Sequence, residues 1–292
     1  MPKRYVAVVL IFCLIACLTG MAQEERILRF TSPHTSFPDS LRAAGHLYDS
    51  VLYAAVEHYM DSSVMLVVPK GLKPSKKVNL IFWFHGWRNN IDTAAIFYGL
   101  VRQFTASQRN AVLVLAETAK NAPDSYGGKL EKPGEFKALV GDVMDKLKTN
   151  KIISPKTKPG NIVLAGHSGA YRVIANILQN GHQPMQEVFL FDALYAELDK
   201  YTAWIKQAKR SHFVHWFTNK GGGTDVMSDT LMAQLTNQHI AYKLVEEAAV
   251  TPAIIKANKI LFVHSLREHN VIINNPDDFE MLLEGSWWLR KE

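Results

Sequence analysis

The segment NIVLAGHSGAYRVIANILQN, Asn161–Asn180, contains the pattern that decides the fold. Its first apolar run, Ile162 to Ala165, predicts a buried strand. The run breaks at glycine and serine, and apolar side chains then recur at helical spacing as far as Leu178. We therefore predict a strand, a sharp turn and a helix, with Ser168 in the turn. The small residues around Ser168 fit this geometry, because a tight strand-to-helix turn leaves no room for large side chains.

This turn resembles the nucleophile elbow of the α/β-hydrolase superfamily, whose pattern is G-x-S-x-G between a strand and a helix. Here the pattern begins at Gly166 and its last glycine is replaced by Ala170, so the match is G-x-S-G-A. In such a turn the serine hydroxyl stands above the sheet edge, and the amides that begin the helix face any oxyanion formed there. A glycine-rich turn with a solvated serine would have the same local sequence, so the rest of the chain must decide.

The whole chain predicts an α/β architecture. Its 292 residues are 48% hydrophobic and 21% charged, which suits one domain with a large core or at most two small ones. Helical patterns alternate with short apolar runs, and this alternation predicts a doubly wound, mostly parallel β-sheet with helices on both faces, a three-layer sandwich. The predicted strands are 64–69, 78–84, 111–116, 162–165, 188–191, 213–217 and 260–263, and the predicted helices include 91–107, 136–147, 229–238 and 279–289.

The N-terminus predicts export. A basic pair precedes an apolar run from Tyr5 to Leu18, and small residues follow, as in a secretory signal peptide. The run is too short for a comfortable transmembrane helix, which needs about 20 residues. We predict cleavage after Ala22 and a secreted or periplasmic protein, in a bacterial envelope or extracellular setting. The alternative is a lipid-anchored lipoprotein, because residues 14–17 resemble a bacterial lipobox that would leave Cys17 lipidated.

Cleavage after Ala22 would remove both cysteines, Cys13 and Cys17. A mature chain without cysteine has no disulfide, no thiol nucleophile and no cysteine-based zinc site. The loss of Lys3 and Arg4 would lower the formal net charge from +6 to +4, and no strong basic cluster is present, so we predict no nucleic-acid partner. The predicted organisation is a signal peptide at 1–22, a lead-in segment packed on the domain at 23–63, and an α/β-hydrolase domain at 64–292.

A second motif follows the predicted strand 78–84, which ends at His85-Gly86-Trp87. In α/β-hydrolases the corresponding strand often ends in a similar His-Gly, and the loop after it supplies one amide of the oxyanion hole. By this resemblance the two donors are the backbone N–H groups of Trp87 and Gly169, and His85 and Gly86 belong to the same oxyanion or substrate-binding site. An ordinary turn at the end of a strand is the alternative.

A nucleophilic serine needs a base and a carboxylate that orients the base. The superfamily has them in the chain order serine, acid, histidine, each at the carboxyl end of a strand. The acid is either Asp192, directly after the strand 188–191, or Asp225, which follows the next strand in a triple-glycine loop. The position of Asp225 is the more usual one. We favour Asp192, because a carboxylate that orients an imidazole needs a rigid mount, and we expect Asp225 or Ser228 to cap a helix.

Histidines follow the last predicted strand at His264 and His269. We favour His269 as the base, because it lies in the loop and can reach back over the sheet edge, whereas His264 is expected to be buried and hydrogen-bonded. His167 is expected to be structural, since it is adjacent to the serine and its side chain points away. His212 and His215 are three apart on a strand and face opposite sides, and the sequence has no His-Glu-x-x-His, so we predict no metal site.

Taken together, the resemblance implies an exported serine hydrolase that cleaves a carboxylic ester or amide through Ser168, His269 and Asp192, without a cofactor. The substrate is expected to be a small molecule or a polymer-borne ester or amide. The absence of a long insertion for a lid favours an open-sited esterase or amidase, and a peptidase on the same fold is a further alternative. A different alternative is a catalytically silent binding protein of the cell envelope, which would use the aromatic N-terminal segment and the loop around Asp124. A membrane is an expected partner only if Cys17 is lipidated.

Overall fold

The computed structural model of the protein describes residues 25–207 and 210–292. The predicted signal peptide at 1–22 and the alternative lipidation site at Cys17 lie outside the described residues. In these two ranges, no helix combines the length and the apolar character that crossing a membrane requires.

Across the described ranges, nine strands form one sheet and two more pair as a separate antiparallel hairpin, β2 with β3. The order of strands in the large sheet is β1-β4-β6-β5-β7-β8-β9-β11-β10. The bounds are β1 Arg26–Thr31, β2 His46–Tyr48, β3 Val51–Tyr53, β4 Ser63–Val68, β5 Lys77–Phe84, β6 Ala111–Ala116, β7 Lys158–His167, β8 Glu187–Phe191, β9 His212–Thr218, β10 Lys243–Glu246 and β11 Ile260–Ser265.

The sheet is mostly parallel. The strands from β6 through β5, β7, β8, β9 and β11 to β10 pair in parallel. At the other edge, β4 is antiparallel to β6 and β1 is antiparallel to β4. Strand β6 explains the unbroken apolar runs, because Val112 and Val114 pack on one face of the sheet while Leu113 and Leu115 pack on the other.

Helices cover both faces of this sheet. Side chains of α4, α5, α6 and α7 join one buried cluster, and side chains of α2, α3, α8 and α9 join the other. The predicted doubly wound, three-layer α/β fold is therefore confirmed. The bounds are α1 Ala55–His58, α2 Ile91–Phe97, α3 Leu100–Ser107, α4 Glu135–Thr149, α5 Tyr171–Asn180, α6 Leu198–Gln207, α7 Thr224–Asn237, α8 Pro252–Ala257 and α9 Asp278–Glu284.

The segment 91–107, predicted as one helix, contains two. Helix α2 ends at Phe97, and Gly99 has a left-handed φ of 59° before α3 begins at Leu100. Because the apolar periodicity continues across this break, the sequence pattern indicates helix without indicating the interruption.

Helix α7 begins at Thr224, well before the predicted start at Asp229. Asp225 and Ser228 are therefore inside the helix and do not cap it, so that prediction is wrong. Asp225 lies in the first turn, where a negative side chain is favourable near the helix N-terminus.

The last helix, predicted over 279–289, ends at Glu284. Ser286 then donates a hydrogen bond to the buried carboxylate of Glu187, and the backbone N–H of Trp287 donates to the same carboxylate at 2.7 Å. This long-range interaction with the first residue of β8 replaces the helical turn that the apolar pattern predicts.

Candidate active site

The predicted elbow forms at the end of β7. Ser168 follows the last residue of that strand, opens a short 3₁₀ turn that ends at Ala170, and precedes α5. Its φ is +54°, a left-handed value that is strained for a residue with a side chain. The side chain is half-buried. The predicted order of strand, sharp turn and helix is therefore confirmed, and the serine is held in an unusual backbone conformation at the sheet edge.

The His-Gly-Trp loop after β5 packs directly against this elbow. A Cβ atom on Gly86 would lie 2.6 Å from Cβ of Ser168, and a Cβ atom on Gly169 would lie 2.5 Å from Cδ1 of Trp87. Both distances are too short for real carbon–carbon contacts, so glycine is required at each position. The two segments predicted to supply the oxyanion amides are thus in contact at the serine.

His85 lies behind this loop rather than in the pocket. Its ring is buried, with Nε2 2.5 Å from Oε1 of Glu117 and 2.9 Å from the hydroxyl oxygen of Thr118. Its Nδ1 lies 2.7 Å from the carbonyl oxygen of Gly86. His85 therefore fixes the peptide group between Gly86 and Trp87 without contacting the space in front of the serine.

Asp192 follows β8 and contacts His269. Its side chain is fully buried, and its Oδ2 lies 2.5 Å from Nδ1 of His269. Its Oδ1 accepts hydrogen bonds from the backbone N–H of Thr218 at 3.1 Å and from the hydroxyl of Thr224. Burial by itself would raise the pKa of Asp192, but the hydrogen bonds from His269 and Thr224 outweigh it and hold that pKa below its ordinary value. The carboxylate is therefore ionised while it faces the histidine.

His269 lies in the loop after β11, which is held from two sides. On one side the Nε2–H group of His167 donates to the carbonyl oxygen of His269 at 3.0 Å. The ring of His167 is held in turn by Tyr98, whose hydroxyl lies 3.0 Å from Nδ1 of His167. Burial lowers the pKa of His167 to about 3, so its ring is neutral. On the other side Arg267 donates to Glu247 at 2.9 Å and to the carboxylate of Asp278.

The remaining candidates lie elsewhere. His264 is partly exposed and pairs with Glu246 at 2.9 Å, so the expectation that it is buried is wrong. The buried His212 pairs with Glu187, and His215 contacts the hydroxyl of Ser228 at 3.2 Å. In the described part of the chain, no group of three His, Cys, Asp or Glu side chains could hold a metal ion.

A cavity of about 350 Å³ opens in front of the serine. Its lining residues carry no formal charge and include three aromatic rings; they are Trp87, Ser125, Ser168, Gly169, Tyr171 and Tyr195. The site residues predicted from the sequence do not include Ser125, Tyr171 or Tyr195. A positional signal was available for Tyr171 and Tyr195, which closely follow the ends of β7 and β8, whereas Ser125 lies farther along the irregular loop after β6.

A larger groove of about 670 Å³ lies along β1, α2 and α3. None of its lining residues belongs to the elbow, to the loop after β5 or to the segment around His269. The residue types therefore indicate that the smaller cavity, at Ser168, is the candidate active site.

No protein-family model matches this sequence, and no curated protein matches it either. Solved structures do resemble it. A feruloyl esterase module from Clostridium thermocellum, complexed with sinapinate, is 12% identical with a TM-score of 0.54, covering 90% of this chain and 88% of that one. The fluorophosphonate-binding serine hydrolase FphF from Staphylococcus aureus is 11% identical with a TM-score of 0.50, covering 90% and 99%. The S-formylglutathione hydrolase FrmB from the same organism is 11% identical with a TM-score of 0.50, covering 89% and 96%. At such identities the likeness speaks for the fold alone, and with the strand order and the elbow it establishes that this chain has the α/β-hydrolase fold.

Proposed function

We propose that this protein is a serine hydrolase that cleaves a carboxylic ester through Ser168, His269 and Asp192. The observation that carries the proposal is the buried Asp192 carboxylate, which binds the ring of His269. The backbone of His269 is bonded in turn to His167, the residue before a serine on a strained turn. Burying a carboxylate costs free energy unless a partner compensates for it. Here three donors from separate elements converge on it. Such an arrangement is typical of catalytic sites.

The proposed chemistry follows from the direction of these hydrogen bonds. Because Nδ1–H of His269 donates to Asp192, Nε2 is left unprotonated and can accept the hydroxyl proton of Ser168. The serine oxygen then bonds to the carbonyl carbon, and the carbonyl oxygen becomes an oxyanion held by the N–H groups of Trp87 and Gly169. Collapse breaks the bond to the alcohol, which leaves with the proton from His269. Water repeats the sequence on the acyl-enzyme and releases the acid.

We further propose an uncharged substrate of modest size. The cavity at Ser168 has no charged lining residue, and rings of Trp87, Tyr171 and Tyr195 form much of its wall. Aromatic walls favour contact with flat apolar groups. Because one structural neighbour is a feruloyl esterase complexed with sinapinate, aromatic acyl esters join short-chain esters as the first substrates to test. An amide substrate remains the alternative within the same mechanism.

The test of the proposed function is labelling of the folded protein with a fluorophosphonate probe, followed by peptide mass mapping. We expect a single adduct on Ser168, and no adduct in the Ser168→Ala variant or in heat-denatured protein. If a well-folded sample gives no adduct on Ser168, the hydrolase proposal is wrong and the silent binding protein becomes the better hypothesis.

Export is a separate proposal with its own test. The intact mass of the protein purified from a bacterial envelope should correspond to cleavage after Ala22. A mass that corresponds to a chain beginning at Cys17 with added acyl chains would instead establish the lipoprotein alternative.

A further inference from the structure

Ser125 presents an uncommitted hydroxyl proton to the cavity at Ser168. Its Oγ accepts a hydrogen bond from the indole Nε1–H of Trp87 at 2.7 Å. Within residues 25–207 and 210–292, no acceptor takes the proton of Ser125 itself. A serine hydroxyl has one donor hydrogen. With an acceptor site of the oxygen occupied by the indole, that hydrogen is available to a ligand in the cavity.

The position of this hydroxyl matches the predicted oxyanion site. The Oγ of Ser125 lies 3.0 Å from where a Cβ atom on Gly169 would stand, so it sits against the residue whose N–H follows the nucleophile. Trp87 contributes twice here, because its backbone N–H is the other proposed oxyanion donor and its indole holds Ser125. The three proposed donors therefore belong to residues that line the same cavity as Ser168.

The loop that carries Ser125 is fixed on both sides of it. Asp124 accepts hydrogen bonds from the backbone N–H of Tyr126 at 2.9 Å and from Nε of Arg42 at 2.7 Å. The ring of Tyr126 is flanked by two guanidinium groups, with that of Arg42 4.8 Å and that of Arg172 5.1 Å from its centre. A hydroxyl on such a rigid loop is preorganised, which is what electrostatic stabilisation of a transition state requires.

From these contacts we propose that Ser125 is a further catalytic residue, whose hydroxyl donates a hydrogen bond to the substrate carbonyl oxygen as it becomes the oxyanion. The inference rests on the proposed function. No proton is transferred in this step: the electron pair of the carbonyl moves to its oxygen as the Ser168–carbon bond forms, and Ser125 keeps its hydrogen while donating to that oxygen. The bond should be stronger in the transition state than in the bound ester, so it acts on kcat rather than on KM.

The main test is hydrolysis of 4-nitrophenyl acetate by Ser125→Ala. We expect kcat to fall about 100-fold with little change in KM, as for the loss of one oxyanion donor. The nitrophenolate leaving group needs no proton, so the loss would report on the oxyanion rather than on the leaving group. Ser125→Thr, which retains a hydroxyl, should recover most of the rate. If Ser125→Ala does not fold, Ser125→Cys provides a similar size with a weaker donor and should show a loss in the same direction.

A double-mutant cycle with Trp87→Phe separates a direct role from an indirect one. Trp87→Phe removes the indole N–H but keeps the backbone donor. If Ser125 contacts the oxyanion directly, Ser125→Ala will still lower kcat in the Trp87→Phe background. If its effect disappears there, Ser125 acts only by positioning the indole, and the proposal is wrong. An unchanged kcat in Ser125→Ala would overturn it equally.

Fluorophosphonate labelling distinguishes this proposal from the proposed function. Failure of the wild-type protein to form the Ser168 adduct would contradict the proposed function itself. If the wild type is labelled, Ser125→Ala should form the same adduct more slowly, because the phosphoryl oxygen of the probe occupies the oxyanion site. Equal labelling rates in the two proteins would contradict only the role of Ser125.

Discussion

Replacing Asp192 by asparagine should inactivate the protein without unfolding it. The carboxylate accepts three hydrogen bonds, two of them on Oδ1 from Thr218 and Thr224 and one on Oδ2 from His269. Asparagine has the same shape but only one acceptor oxygen. Because the two donors on Oδ1 come from the end of β9 and the start of α7, the asparagine oxygen should face them, and its NH₂ group should face His269.

That orientation reverses the tautomer of the histidine. A donor opposite Nδ1 of His269 requires Nδ1 to be the acceptor, so the ring hydrogen moves to Nε2 and cannot receive the proton of Ser168. The same change in a serine-protease triad lowers kcat by about 10⁴, which corresponds to about 5 kcal/mol of transition-state stabilisation. Since Thr218 and Thr224 keep their acceptor, the free energy of unfolding should fall by only about 1–2 kcal/mol.

The assay is kcat on 4-nitrophenyl acetate, with urea unfolding of the same samples. Asp225→Asn is the matched control, because Asp225 is the other aspartate considered as the acid. It lies in the first turn of α7 and, in the described part of the chain, makes no side-chain hydrogen bond to His269. It should retain at least half of the wild-type kcat. A large loss in Asp225→Asn together with an active Asp192→Asn would refute the assignment of the acid.

Two further predictions concern neighbouring positions and pH. Gly86→Ala would place a Cβ atom 2.6 Å from Cβ of Ser168, so the rate of fluorophosphonate labelling should fall at least about 100-fold. The control is Gly141→Ala in α4, where a Cβ atom meets nothing within 4 Å; it should label normally and raise the free energy of unfolding by roughly 0.5–1 kcal/mol. Equal labelling rates in the two variants would contradict the packing of Gly86 against Ser168. Burial, only partly offset by Arg267, raises the pKa of Asp278 to about 7. The contribution of Asp278 to stability is therefore present below about pH 4 and is lost as the pH rises through 7, by about 4 kcal/mol at most. In urea unfolding across pH 4–8, the free energy of unfolding of Asp278→Asn should decline less than that of the wild type. An identical decline would show that the Asp278 carboxyl does not titrate in this pH range.

Sequence alone indicates where the proposed site residues lie when their chemistry and the strand order coincide. Ser168, Asp192 and His269 each follow an apolar run, and parallel strands bring the residues after their carboxyl ends to one edge of the sheet. The ends of strands can be recognised from local sequence, and they therefore predict that the residues after them lie close together in the structure. The structure brings Asp192 and His269 into contact and places the His269 loop against His167, the neighbour of Ser168.

Residues that reach the site through side-chain packing could not be predicted in the same way. Ser125 lies in a long irregular loop, and its place beside Gly169 depends on Trp87 and, through Asp124, on Arg42, both distant in sequence. Tyr195 reaches the cavity because its hydroxyl donates to the carbonyl oxygen of Gly221 at 2.5 Å. No periodicity within either segment encodes those partners.

The triple-glycine loop shows that the reason for preferring Asp192 to Asp225 was incomplete. The sequence suggests a flexible segment that makes Asp225 a poor mount, which favours Asp192. In the structure this loop instead completes the surroundings of Asp192: a Cβ atom on Gly221 would overlap Oδ2 of the carboxylate, while Thr218 and Thr224, on either side of the glycines, donate to Oδ1. Glycine at 221 is thus required for close approach rather than for flexibility. The segment from the end of β9 onward, where the superfamily usually carries its acid, here donates two of the three hydrogen bonds to buried Asp192, which together with that from His269 hold the pKa of Asp192 below its ordinary value.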